Sequence, residues 1–143
     1  MSFWTFIAPD EKGLETLPVP FQYTYSPLWI FGREVCIKRQ AWIIILQIVG
    51  EVDKEEQSFL EKESCNRDGS ITIPYNEQNL KRLIDLIDKT IAYIYILPYE
   101  ISEYYNEIEY QFTNIVYKRM LWSIQSVFKE SLRLKKPYAA SDA

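Results

Sequence analysis

The sequence predicts a mainly α protein: a compact helical bundle around a helical hairpin, with an irregular aromatic-rich N-terminal segment and at most short strands. Three observations lead there. The longest stretch without proline or glycine begins at Tyr99 and is helix-compatible to Leu134. It places Ile101, Tyr105, Ile108, Phe112, Ile115 and Val116, then Met120, Leu121, Ile124, Phe128 and Leu132, at steps of three and four. That spacing is the repeat of one helix face. A second run, Leu80, Leu83, Ile84, Ile87, Ile91 and Ile94 with Tyr95 at its margin, lies opposite Lys81, Arg82, Asp85 and Asp88, the pattern of an amphipathic helix. Pro98 ends this second run, because proline lacks the backbone donor of a helix interior. The short link it leaves favours an antiparallel helical hairpin.

Taken in order, residues 1 to 32 are punctuated by Pro9, Gly13, Pro18, Pro20, Pro27 and Gly32, so extended pieces and turns are expected. The rings of Phe3, Trp4, Phe6, Phe21, Tyr23, Tyr25, Trp29 and Phe31 need cover, which predicts that this segment wraps against the helices. Short strands are expected near Phe3–Ile7 and Leu28–Phe31. From Arg33 to Val49, length favours a helix and the isoleucines favour a buried strand. The reading adopted for this stretch is helix, with a break allowed at Gly50. Asp53 to Glu63 reads as a short acidic helix anchored by Phe59 and Leu60. Asn66-Arg67-Asp68-Gly69-Ser70 is a turn signal, Ile71-Thr72-Ile73 a short extended piece, and Asn76 a helix cap before Glu77. The Tyr99 helix would run for about 30 residues, or about 45 Å, with Asn114 as the place for a break and Pro137 as its limit. Residues 1–137 form one expected domain, and 138–143 an expected disordered tail.

Composition narrows the chemistry. With 143 residues, 48% apolar and 25% charged, the chain can bury a core without disulfides or metal. Histidine is absent, which excludes Ser-His-Asp and Cys-His catalysis and mixed glutamate–histidine di-metal sites. The glycines at 13, 32, 50 and 69 are too scattered for a phosphate-cradling loop. Cys36 and Cys65 are too few for a zinc site in one chain and read as reduced thiols of a cytoplasmic protein. The amino terminus lacks a positive region and Ala41 to Val49 is far too short to span a bilayer. Eleven tyrosines and four tryptophans suit core rims or a contact surface. A net charge of −4 with pI near 5.0 argues against direct nucleic-acid binding and for a basic protein partner. These features predict a non-enzymatic protein with no cofactor, no metal and no membrane partner.

The candidate partner-binding residues are Glu100, Glu103, Tyr104, Glu107 and Tyr110. On a helix, steps of three and four align Glu100, Glu103, Glu107, Tyr110 and Asn114, with Tyr104 alongside. Carboxylates there would steer a basic partner and tyrosines would add contact area. The structural alternative is compensation of the helix dipole, acidic at the start and basic at Lys118, Arg119, Lys129, Arg133, Lys135 and Lys136. A metal or acid–base role for Glu100, Glu103 and Glu107 is the weaker chemical alternative. A second acidic run, Asp53, Glu55, Glu56, Glu61 and Glu63, offers a competing surface. The basic end at Arg133, Lys135 and Lys136 reads as a solvated helix end.

With its Glu100-Ile-Ser-Glu-Tyr-Tyr-Asn-Glu107 stretch, its lack of catalytic groups and its compact size, the chain resembles the small acidic immunity proteins that bacteria make against the toxins of contact-dependent inhibition and polymorphic toxin systems. The likeness is one of overall character. It implies a protein that binds and neutralises a cognate toxin domain, often a basic nuclease. A helical adaptor or assembly subunit is the alternative, and a carboxylate-based metal protein or enzyme a third.

Overall fold

The computed structural model describes residues 3–10, 27–65, 72–96, 100–105 and 108–142, giving the backbone alone over 100–105 and 108–113. The elements are β1 (Phe3–Ile7), β2 (Leu28–Phe31), β3 (Glu34–Lys38), α1 (Arg39–Val52), α2 (Lys54–Glu63), β4 (Thr72–Ile73), α3 (Glu77–Tyr95), β5 (Glu100–Tyr105), β6 (Ile108–Thr113), α4 (Asn114–Leu134) and β7 (Tyr138–Asp142). Five strands form one antiparallel sheet in the order β2-β3-β1-β7-β4, and β5 pairs with β6 in a separate two-stranded sheet. The expected helical bundle with at most short strands is therefore corrected to an α+β architecture. Helices still supply most of the core, but they are layered on a sheet.

The strands expected at Phe3–Ile7 and Leu28–Phe31 are β1 and β2. The stretch from Arg33 to Val49 divides its two competing readings between its halves. Val35, Cys36 and Ile37 belong to β3, and the helix begins only at Arg39. A two-residue turn joins β2 to β3, with Phe31 opposite Glu34 and Gly32 at φ 57. Left-handed backbone at the first turn position, free of cost for glycine, matches the right-handed twist of the flanking strands. Helix α1 runs through Gly50 to Val52, so the expected break falls three residues later, at Asp53. A side chain at position 50 would meet the Gln57 amide at 2.8 Å, and that amide donates to the Leu46 carbonyl at 2.9 Å. Gly50 thus permits the close turn of α2 against α1.

Both cap residues behave as their chemistry demands. Asp53 accepts from the Glu55 amide at 3.0 Å to start α2, and Asn76 accepts from the Asn79 amide at 2.9 Å to start α3. Leu80, Leu83, Ile87, Ile91 and Ile94 of α3 are buried as the pattern predicts. Tyr95 is instead 60% exposed. The helical hairpin exists in altered form. Gln125 of α4 donates to the Ile84 carbonyl and to Asp88, while Lys118 sits over the Tyr95 ring, so α3 and α4 run antiparallel. What joins them is the β5–β6 hairpin, where the sequence predicts a short link.

Phe6, fully buried in β1, locks the helices to the sheet. Its ring meets Trp42 of α1 at 5.3 Å and Phe128 of α4 at 6.0 Å, both edge-on. Val35 and Ile37 of β3 and Ile124 and Val127 of α4 join the same cluster. Each such side chain contributes about 1.5–3 kcal/mol of burial before entropy is subtracted.

The expected disordered tail is also corrected. Residues 138–142 are β7, held between β1 and β4. Lys135 adopts φ 54 just past α4, and the Lys136 amide donates to the Ser131 carbonyl at 3.3 Å, the six-to-one bond of a Schellman cap. This cap turns the chain back at Pro137. Tyr138 then packs edge-on against Phe128, and Arg39 pairs with Asp142 at 2.8 Å.

Candidate protein-binding surface

The predicted Tyr99–Leu134 helix forms only over its second half: α4 starts at Asn114, where a break was expected. Ahead of it, β5 and β6 form an antiparallel hairpin. The apolar steps at Ile101, Tyr105, Ile108 and Phe112 fit a helical repeat. The same segment is also rich in tyrosine, isoleucine, phenylalanine and threonine, residues that favour strands. A strand side chain alternates with period two, and the two strands present opposite faces of unequal character. Positions 101, 103 and 105 share a face with their partners 112, 110 and 108, which reads Ile, Glu, Tyr, Phe, Tyr and Ile. Positions 100, 102 and 104 share the other face with 113, 111 and 109, which reads Glu, Ser, Tyr, Thr, Gln and Glu.

The five candidate residues are rearranged accordingly. Glu103 and Tyr110 are brought directly opposite one another across the hairpin, and Glu100 lies opposite Thr113. Tyr104 lies opposite Glu109, on the face that holds Glu100 and not Glu103. Glu107 lies outside the described residues. The single helical stripe is thus replaced by a hairpin with carboxylate positions on both faces. Compensation of a helix dipole by Glu100, Glu103 and Glu109 is corrected as well, because these residues precede α4 and its first turn holds no acidic residue. Glu100 and Glu103, three apart on a strand, fall on opposite faces, which removes the shared helix face on which a metal or acid–base pair was conceivable.

Charge is distributed unevenly along the chain. Of 20 acidic and 16 basic residues, Glu100, Glu103, Glu107 and Glu109 lie between 100 and 113, where there is no lysine or arginine. The remainder of the chain is balanced, 16 against 16, so the whole net charge of −4 resides in the hairpin segment.

The acidic residues of the competing surface are largely engaged within the fold. Asp53 caps α2, Glu56 accepts the guanidinium of Arg82, which also lies 3.8 Å from the Phe59 ring centroid, and Glu63 accepts from Asn79 at 3.2 Å. Desolvation raises the Glu63 carboxyl above its usual range, against the pull of Lys62 and Arg82. Further along, Glu51 accepts the Tyr93 phenol and Asp88 accepts Gln125. The basic end is partly neutralised too, since Arg133 pairs with Glu130 at 2.7 Å.

Two features were not anticipated from the pattern. Ile96 is 79% exposed beside Tyr95, and Ile115 is exposed at the start of α4. These apolar side chains flank the hairpin in sequence; Ile115 continues a helical apolar stripe, which hid its exposure, whereas Ile96 lies off the stripe of α3. Separately, a cleft of about 510 Å³ lies between β1, α1 and α2, lined by Trp4, Arg39, Trp42, Leu46, Lys62 and Cys65 among others. Two of its polar groups serve the fold: the Trp4 indole donates to the Ser64 carbonyl at 3.1 Å and Arg39 holds Asp142.

Among the described residues, no group of three cysteine, aspartate or glutamate side chains is placed to hold a metal ion. No helix among them is long and apolar enough to cross a membrane. No family model, curated protein or solved structure matches the chain.

Proposed function

We propose that this chain is a non-enzymatic protein-binding module whose recognition element is the acidic β5–β6 hairpin, and that it acts as an immunity protein by occupying a basic surface of a cognate toxin domain. The observation that carries this reading is the concentration of the entire net charge in one hairpin segment, whose strands pair only with each other among the described residues. Carboxylates placed in that way raise the encounter rate with a basic surface and discriminate against acidic ones. Occupying cations that otherwise meet substrate phosphates would block a nuclease without any chemistry on the part of the inhibitor. Free Cys36 and Cys65 suit the reducing cytoplasm in which such a protein would meet its toxin.

The test is capture of the tagged protein from its host, followed by association kinetics with the recovered partner across a salt series. Reversal of Glu103 and Glu107 to lysine is expected to slow association about tenfold or more at low salt and to flatten its salt dependence. Unchanged rates and an unchanged salt slope would remove the hairpin as the recognition element. The exposure of Tyr95, Ile96 and Ile115 favours a second reading, an assembly subunit that buries this apolar end against another chain. A concentration-dependent oligomer that dissociates on Ile96→Asp would support it.

A further inference from the structure

Edge geometry of the hairpin points to how a partner is taken up, an inference that rests on the reading of the hairpin as the recognition element. Among the described residues, β5 and β6 pair only with each other, which leaves an unpaired row of backbone donors and acceptors along the outer side of each strand. A two-stranded sheet is at best marginally stable in water, and a third strand is the usual minimum for independent stability. The two edges are unequal. β6 carries Glu109 alone and runs directly into α4. β5 carries Glu100 and Glu103, whose cross-strand partners are Thr113 and Tyr110, so neither carboxylate is opposite a cation.

We infer that the outer edge of β5 accepts an extended basic segment of the partner as a third strand. Ladder hydrogen bonds would supply the pairing and Glu100 and Glu103 the selection. Because those two positions lie on opposite faces, the incoming strand needs basic side chains three residues apart, one on each face. Alternation fixes the rest: apolar residues opposite Ile101 and Tyr105, and small polar ones opposite Ser102 and Tyr104. For an antiparallel strand the matching sequence is Val-Thr-Lys-Thr-Val-Lys, as long as the six residues of β5. An amphipathic helix or a folded cationic patch could satisfy the charge but not this period of two.

The experiment titrates the full-length, isotope-labelled protein with that capped six-residue peptide, following amide shifts and hydrogen exchange by NMR. Two further peptides carry N-methyl groups on the odd or on the even residues, and a fourth replaces both lysines by glutamate. Expected is slowed exchange over 100–105 with the parent peptide. One N-methyl pattern, the one that faces β5, should abolish binding, and the other should be tolerated. The glutamate peptide should bind at least about tenfold more weakly, and Glu100→Lys with Glu103→Lys should reverse that preference. If both N-methyl peptides bind like the parent, the hairpin recognises charge without adding a strand, and the inference falls while the reading of the surface survives. No response to the parent peptide, or a response located away from β5, also overturns it, whatever the captured partner does at the hairpin.

Discussion

The phenol of Tyr138 donates to the backbone carbonyl of Glu63 at 2.6 Å, joining β7 to the end of α2 across 75 residues of sequence. One residue further, the Trp4 indole donates to the next carbonyl, that of Ser64, at 3.1 Å. Two strands of the sheet are therefore tied to the same helix end. Tyr138→Phe is expected to cost about 1–2 kcal/mol, the net hydrogen bond plus a carbonyl left short of a donor. Burial raises the Tyr138 phenol well above its ordinary value. The folded state thus holds that proton more tightly than the unfolded chain, so this contribution is present below about pH 10, the unfolded value, and is lost as pH rises further. Denaturant melts of Tyr138→Phe should show the cost at neutral pH and a weaker loss of stability above about pH 10 than the native chain. Equal alkaline sensitivity would remove Tyr138 as the titrating group.

Removal of residues 138–143 takes away the strand between β1 and β4 and the partner of Arg39. A chain ending at Pro137 is expected to lose its cooperative unfolding transition. A truncated chain that melts like the full one would show that β7 adds nothing to the sheet.

The half-buried Glu63 carboxyl carries the opposite kind of cost. Its raised value means that ionisation opposes folding: the protonated form is favoured in the fold, and this stability is present below about pH 4.5 and lost as pH rises through the folded value. Glu63→Gln keeps an oxygen for Asn79 and removes the charge. It should stabilise the protein at pH 7, with the advantage shrinking as pH falls toward 4, as measured by denaturant midpoints. A constant offset across that range would overturn the assignment.

Lys135 occupies left-handed backbone at the end of α4, where a Cβ is costly and glycine is not. Lys135→Gly should stabilise by about 0.5–1 kcal/mol, since the φ strain is relieved without loss of the Ser131 cap. A destabilised variant would show that the lysine side chain contributes more than its backbone costs.

Thiol reactivity separates the two cysteines. Cys65 is exposed in the cleft, whereas burial raises the Cys36 thiol ahead of the lowering effect of its contact with Thr5. A maleimide should modify one thiol per native chain within minutes and the second only in denaturant, with peptide mapping placing the first at Cys65. Rapid native labelling of Cys36 would contradict its placement in β3.

Much of the local structure was legible because local chemistry decided it. The Asn76 cap and the apolar face behind it specify α3, and Asp53 specifies the start of α2. Aromatic and β-branched residues mark β1 and β2. The Gly32-Arg33 pair between two apolar runs was a readable hairpin signal, and it would have separated β3 from α1 at the outset. No such signal exists for Tyr138-Ala-Ala-Ser-Asp142, whose composition suits a tail. It becomes a strand because β1 and β4 each offer it a row of unpaired backbone groups.

Residues 100–113 mark the limit most clearly. Their apolar steps satisfy a helical repeat as well as an alternating one, so periodicity alone does not choose between them. The register of Glu103 with Tyr110 and of Ile101 with Phe112 is a relationship between positions that a helix would stack along one axis. Composition by itself determined the acidity of this segment and the absence of histidine chemistry, and apolar spacing determined the helices on either side. Only the folded structure decided that its acidic positions fall on both faces of a hairpin, because apolar steps that satisfy two repeats leave the choice to whether β5 and β6 pair with each other.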